Sequence, residues 1–197
     1  GFLSHPELTR EQGGHSGNYA YLDQNAALKW INANIAQFGG DPNKVVIMGQ
    51  SAGAGSVVQQ IFSPLSKGLF RGAVMSSGCS WGGAGTSLAQ GEQNGLAIQR
   101  RMGAANLEEM RNIPADRIID IQAENQVGVS VQGVRAGGVV DGYFMPKGQM
   151  EILQAHEASD VPIIASFNQD EASNALAQAK TVAEYRNAAY RMYGEKG

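Results

Sequence analysis

Val45-Val46-Ile47-Met48-Gly49-Gln50-Ser51-Ala52-Gly53 is the stretch on which the fold turns. Four apolar residues without polar alternation predict a parallel strand buried on both faces. The next five match G-x-S-x-G, in which a serine occupies a sharp turn between a strand and a helix. A helix-compatible stretch does follow, to about Phe62. The expected reason for Gly49 and Gly53 is steric, because side chains there would strike neighbouring backbone. Such a turn lifts the Ser51 hydroxyl clear of the sheet, while the helix start beneath it offers unpaired N–H donors and a favourable dipole. The N–H of Ala52 is the expected oxyanion donor, a contact worth roughly 3–4 kcal/mol to a transition state. A phosphate cradle is the rival reading, but G-x-x-x-x-G-K-[ST] has no Lys here, and Val58 stands where G-x-G-x-x-G from Gly53 needs a glycine.

Working outward, Leu28, Ile31, Ile35 and Phe38 recur at helical spacing and predict an amphipathic helix over about 21–38, stopped by Gly39-Gly40 and the turn Asp41-Pro42-Asn43. Downstream, Gly72 to Ser77 predicts a second strand, followed by a glycine-rich loop, 78–85, carrying Cys79 and Trp81. Helical patterns follow over about 91–102 and 107–122, the second broken at Pro114. Residues 125–146 are loop-rich, with Val139-Val140 as a short strand before the Asp141-Gly142 turn. Val161 to Phe167 predicts a third strand, closing on Asn168-Gln169-Asp170-Glu171. Thr181 and Glu184 form a capping box before a stripe of Val182, Tyr185, Ala189 and Met192. Strands interleaved with helices predict an α/β protein with a mostly parallel sheet.

Composition narrows the function. Fifteen Lys and Arg against 18 Asp and Glu give a net charge of −3, which argues against nucleic-acid binding. A 43% hydrophobic, 17% charged composition is that of a globular chain. No run approaches the roughly 18 apolar residues of a membrane helix. The 26 glycines, about twice the usual share, imply many tight turns and close backbone approaches. One cysteine, Cys79, excludes an internal disulfide and leaves compartment and localisation open.

The motifs then combine into a resemblance. Gly17-Asn18-Tyr19-Ala20-Tyr21-Leu22-Asp23-Gln24, Ala27-Leu28-Lys29-Trp30, Asn34-Ile35, Phe38-Gly39-Gly40-Asp41-Pro42 and Gly49-Gln50-Ser51-Ala52-Gly53 follow in order. Ser63-Pro64-Leu65, Leu69-Phe70-Arg71-Gly72-Ala73, Ser77-Gly78, Val140-Asp141-Gly142 and Val161-Pro162-Ile163-Ile164 leading to Asp170-Glu171 continue the series. This order resembles the type-B carboxylesterase family of the α/β-hydrolase fold, which includes the cholinesterases. The resemblance spans nearly the whole chain and is loosest over 91–138.

It implies an ester hydrolase acting through an acyl-enzyme without metal or cofactor, on a small-molecule ester. Ser51 is then the nucleophile, within the elbow Gly49, Gln50, Gly53, and Glu171 the acid that holds a histidine in the right tautomer. Glu171 follows a strand end, where α/β sites assemble, with Asp170 its immediate rival. A serine needs a base, but His5, His15 and His156 all precede the acid, whereas this fold orders its triad serine, acid, histidine. Each reads as a surface histidine. The family's base lies well past the acid and its oxyanion glycines lie before the Gly1-Phe2-Leu3 phrase, so residues 1–197 are expected to be the central part of one hydrolase domain, cut at both ends. That piece is expected to be inactive and, with apolar sheet exposed, poorly soluble. Gln50 stands where many members carry Glu, which implies weaker preference for cationic esters. Ser77 resembles a serine the family places behind the active site, although a plain strand-end serine fits as well. Trp81 reads as a packed aromatic or as one wall of a pocket. The alternative within the same fold is a non-catalytic, cholinesterase-like protein-binding domain. Oligomeric state and the identity of the ester are not readable.

Overall fold

The computed structural model describes residues 1–81, 85–117, 138–169, 171, 176 and 178–194. The predicted helical stretch beyond Arg117, most of the loop-rich region, Asp170 and the tip of the glycine loop lie outside them. In chain order the elements are α1 (Pro6–Glu11), α2 (Tyr19–Asn34), β1 (Val46–Gln50), α3 (Ala52–Phe62), β2 (Gly72–Ser76), β3 (Thr86–Ser87), α4 (Leu88–Met102), α5 (Leu107–Arg111), β4 (Val139–Val140), α6 (Gln149–Gln154), β5 (Ile163–Ser166) and α7 (Val182–Tyr193). Short 3-10 turns at Ile35–Phe38, Pro42–Lys44 and Pro64–Ser66 join them.

β1, β2 and β5 form a parallel sheet in that order, and the two-residue strands β3 and β4 pair in parallel as a separate sheet. The expected strand–helix alternation is therefore present, with β3 as an element too short for any sequence period to announce. Its register sets Met48, Val74 and Ile164 on one rung and Gln50, Ser76 and Ser166 on the next but one. The three strands thus end level, and the residues that follow them share one edge.

α3 covers one face of the sheet. Ala54, Val57, Val58, Ile61 and Phe62 pack on Ala73 and Met75, and Phe144, Met145 and Ile152 close the core. The opposite face is open among the described residues: Val46 is 56% exposed, Met48 77% and Ile164 64%. The expectation that β1 is buried on both faces is thus corrected, since among the described residues helix cover lies on one side only. The α7 helix forms as expected, with Thr181 capping it by accepting the Glu184 N–H; of its stripe Val182 and Tyr185 are exposed and the Met192 side chain lies outside the described residues, while Ala188 is buried.

Polar side chains tie the layers together. Asn25 of α2 donates to the Leu65 carbonyl and to Ser66 Oγ, at 3.0 and 2.8 Å. Asn18 replaces a strand partner for β4, donating to the Val139 carbonyl at 2.8 Å and accepting its N–H at 3.0 Å. His5 is 1% exposed, which overturns its reading as a surface residue. Its Nδ1 accepts the Glu7 N–H and caps α1, so the proton sits on Nε2, which donates to Gln99 Oε1 at 2.7 Å. Gly95 allows this, because a Cβ there would lie 1.8 Å from the Ser4 carbonyl oxygen.

Candidate active site

The site assembles where the three parallel strands end, the edge at which α/β sheets place their ligands. Ser51 leaves β1 with φ 54° and ψ −118°, a backbone that L-residues rarely adopt. Its N–H is held by the Ser76 carbonyl at 2.9 Å, and its own carbonyl accepts the Gly55 N–H at 3.0 Å, the first intrahelical bond of α3. Ser51 and Ala52 are both exposed. The Ala52 N–H opens the helix and has no intrahelical acceptor, so it is free to meet developing negative charge.

The two motif glycines differ. A Cβ on Gly49 would fall 2.3 Å from the carbonyl carbon and oxygen of Gly53, so the tight return of the chain requires glycine there. A Cβ on Gly53 would meet nothing within 4 Å, which corrects the expectation of a steric need at that position within this chain.

Across two strands lies Glu171. Its Oε1 accepts the Ser77 hydroxyl in a short hydrogen bond and the Asn168 N–H at 2.6 Å. These donors, the Ser77 hydroxyl foremost, hold the Glu171 carboxyl below its ordinary value. Ser77 leaves β2 as Ser51 leaves β1: its φ is also 54°, and its N–H donates to the Ser166 carbonyl of the neighbouring strand at 2.8 Å. Ser77 is thus both the residue that follows the end of β2 and the donor to Glu171. Asp170, the rival acid, lies outside the described residues.

Because the lowered value favours the ionised form in the folded chain, its stabilising effect is present at neutral pH and is lost as pH falls below the usual carboxylate range. Ser77→Ala removes the leading donor, so the Glu171 titration is expected to move up toward the ordinary glutamate range. A side-chain carboxyl 13C titration by NMR checks this; an unmoved midpoint would show that Ser77 does not govern the carboxylate.

None of the three histidines joins the pair. His5 is engaged as described; His15 stacks on Tyr143 at 4.2 Å between ring centres; and His156 is exposed, in left-handed conformation at the end of α6. Trp81 packs edge-on against Phe62, with ring centres 5.5 Å apart, which agrees with the packed-aromatic reading. A cavity of about 290 Å³ lies between Val58, Gln59, Ser80, Val140 and Gln149, and neither Ser51 nor Glu171 is among its described lining. No group of metal-ligating side chains occurs among the described residues, and no helix there is long and apolar enough to cross a membrane.

Known proteins match this chain in sequence and in fold. The carboxylesterase family profile matches residues 1–193. A fumonisin B1 esterase of Sphingopyxis macrogoltabida is 34% identical over all of this chain and 36% of its own length. A cocaine esterase of Homo sapiens is 36% identical over 79% of this chain and 27% of its own. Among solved structures, a Geobacillus stearothermophilus carboxylesterase superposes with a TM-score of 0.70 at 30% identity, over the whole of this chain and 40% of that one. A PNB esterase gives 0.73 at 26%, over the whole of this chain and 42% of that one. The chain thus spans well under half the length of these proteins. With its parallel sheet and a family match over residues 1–193, the chain belongs to the carboxylesterase family and folds as part of an α/β-hydrolase.

Proposed function

We propose that the protein to which this chain belongs hydrolyses carboxylic esters through an acyl-enzyme intermediate. Ser51 attacks the ester carbonyl, the Ala52 N–H shares the oxyanion, and Glu171 orients a histidine that takes the serine proton and returns it to the leaving alcohol. A water then repeats the cycle on the acyl-serine. The observation that carries this reading is the placing of Ser51, strained and exposed over the start of α3, on the same sheet edge as a carboxylate held by two donors.

The base comes from outside this chain. His5 has both ring nitrogens occupied, by the Glu7 N–H and by Gln99 Oε1, and neither of the others hydrogen-bonds Ser51 or Glu171. The proposed substrate is a small-molecule ester, in keeping with relatives named for fumonisin B1 and cocaine. Gln50 leaves the position before the nucleophile uncharged, which fits neutral esters better than cationic ones.

The test compares three samples on a neutral nitrophenyl ester: the full-length protein, its Ser51→Ala variant, and purified residues 1–197. Only the first is expected to turn over. Ser51→Ala is expected to lose at least about 10³-fold in kcat, the scale of nucleophile removal. Wild-type turnover by Ser51→Ala would sink the reading, and serine-dependent turnover by residues 1–197 alone would place the base within them.

A further inference from the structure

The second glycine that the elbow requires is outside its motif. A Cβ on Gly78 would stand 2.3 Å from the carbonyl oxygen of Ser51 and 2.9 Å from the Cβ of Ala54. The nearer obstacle is backbone, so no rotamer change relieves it. Gly78 is not among the residues with positive φ, so its need for glycine is one of space alone. At Gly53, inside the motif, the same Cβ meets open space.

Gly78 also follows Ser77 directly, and the Ser77 hydroxyl binds Glu171 while its N–H is fixed by the Ser166 carbonyl. One residue therefore touches the peptide unit of the nucleophile and is bonded to the residue that holds the acid. We propose that Gly78 is a positioning residue, setting the Ser51 elbow and the Ser77–Glu171 pair at a fixed separation; this rests on the roles given to Ser51 and Glu171 above. A methyl at position 78 must move the Ser51 peptide, the Ser77–Gly78 segment or both, by roughly an ångström, to reach ordinary contact. Misplacement on that scale costs on the order of 10²-fold in rate, because the reacting groups no longer meet in the attack geometry.

The experiment uses the full-length protein with a neutral nitrophenyl ester and four forms: wild type, Ser51→Ala, Gly78→Ala and Gly72→Ala. Gly72 opens β2 at the end of the sheet away from Ser51, where an added Cβ would stand in ordinary contact 3.5 Å from a Val46 methyl, and serves as the glycine control. Activity is expressed per folded molecule, from circular dichroism and the thermal midpoint. Gly78→Ala is expected to lose about 10²-fold in kcat with KM within twofold of wild type, while Gly72→Ala keeps its kcat. A Gly78→Ala variant whose kcat per folded molecule is within threefold of wild type overturns the proposal. If Gly78→Ala does not fold, the double variant Ala54→Gly/Gly78→Ala removes the 2.9 Å obstacle and leaves the 2.3 Å one. Impaired kcat in a folded double variant then supports the proposal. Wild-type kcat overturns it, and so does failure to fold, since the glycine would then serve folding and not position. Should Ser51→Ala itself stay active, the fault lies in the reading of the nucleophile. Should Ser51→Ala be dead and Gly78→Ala unimpaired, it lies in the role of Gly78.

Discussion

Glu171→Gln in the full-length protein is expected to lower kcat about 10⁴-fold with little change in KM, the scale found when a triad acid becomes its amide. The substitution isolates charge from shape. Gln Oε1 can still accept the Ser77 hydroxyl and the Asn168 N–H that now bind the carboxylate, so the side chain has every reason to stay in place. What it loses is the negative charge that stabilises the imidazolium during proton transfer, and the acceptor that selects the productive tautomer. Asp170→Asn is the matched control and is expected to leave kcat within a few-fold of wild type. The opposite pattern, with Asp170→Asn inactive and Glu171→Gln active, would move the acid by one residue and leave Ser77 to a structural task. A loss in both would mean that the two carboxylates act together.

What the sequence made legible follows the range of the interactions. The elbow is local: a buried run, two glycines around a serine and a helix start lie within a few consecutive residues, and the structure places β1, Ser51 and α3 accordingly. The parallel sheet was readable from apolar runs spaced by helices. The bond from Ser77 to Glu171 was not, because the two residues lie 94 apart and the left-handed backbone of Ser77 has no signature in a non-glycine residue. His5 misled for the same reason. It reads as a surface histidine before the nucleophile, while its burial depends on Gln99, also 94 residues on, and on the clearance at Gly95. β1 misled differently. An unbroken apolar run says that both faces seek cover, and here α3 supplies it on one side while Met48, Val74 and Ile164 line up on the other. Gly53 shows the limit of a motif as a steric argument: the pattern names two glycines, and the close approaches fall on Gly49 and Gly78.

The largest stability loss is expected at Phe62, the last residue of α3. It is 1% exposed, belongs to the main core and meets Trp81 edge-on at 5.5 Å. Phe62→Ala should cost about 3–5 kcal/mol, the usual range for emptying a buried aromatic site, part of it from the ring pair. Against a total stability of about 5–15 kcal/mol, that brings the fold near its threshold. The loss reaches function through the far end of the helix. α3 carries Ser51 at its start, and Trp81 lies three residues past Gly78, so one ring braces both sides of the elbow's close contact. Denaturant unfolding of the full-length protein measures the loss, with Phe62→Leu as the companion that keeps most of the volume and forfeits the ring pair. If the bracing holds, Phe62→Leu loses less stability than Phe62→Ala yet still lowers kcat per folded molecule, because Trp81 no longer has an aromatic partner. Equal stability losses, or an unchanged kcat in Phe62→Leu, would reduce Phe62 to a filler of core volume.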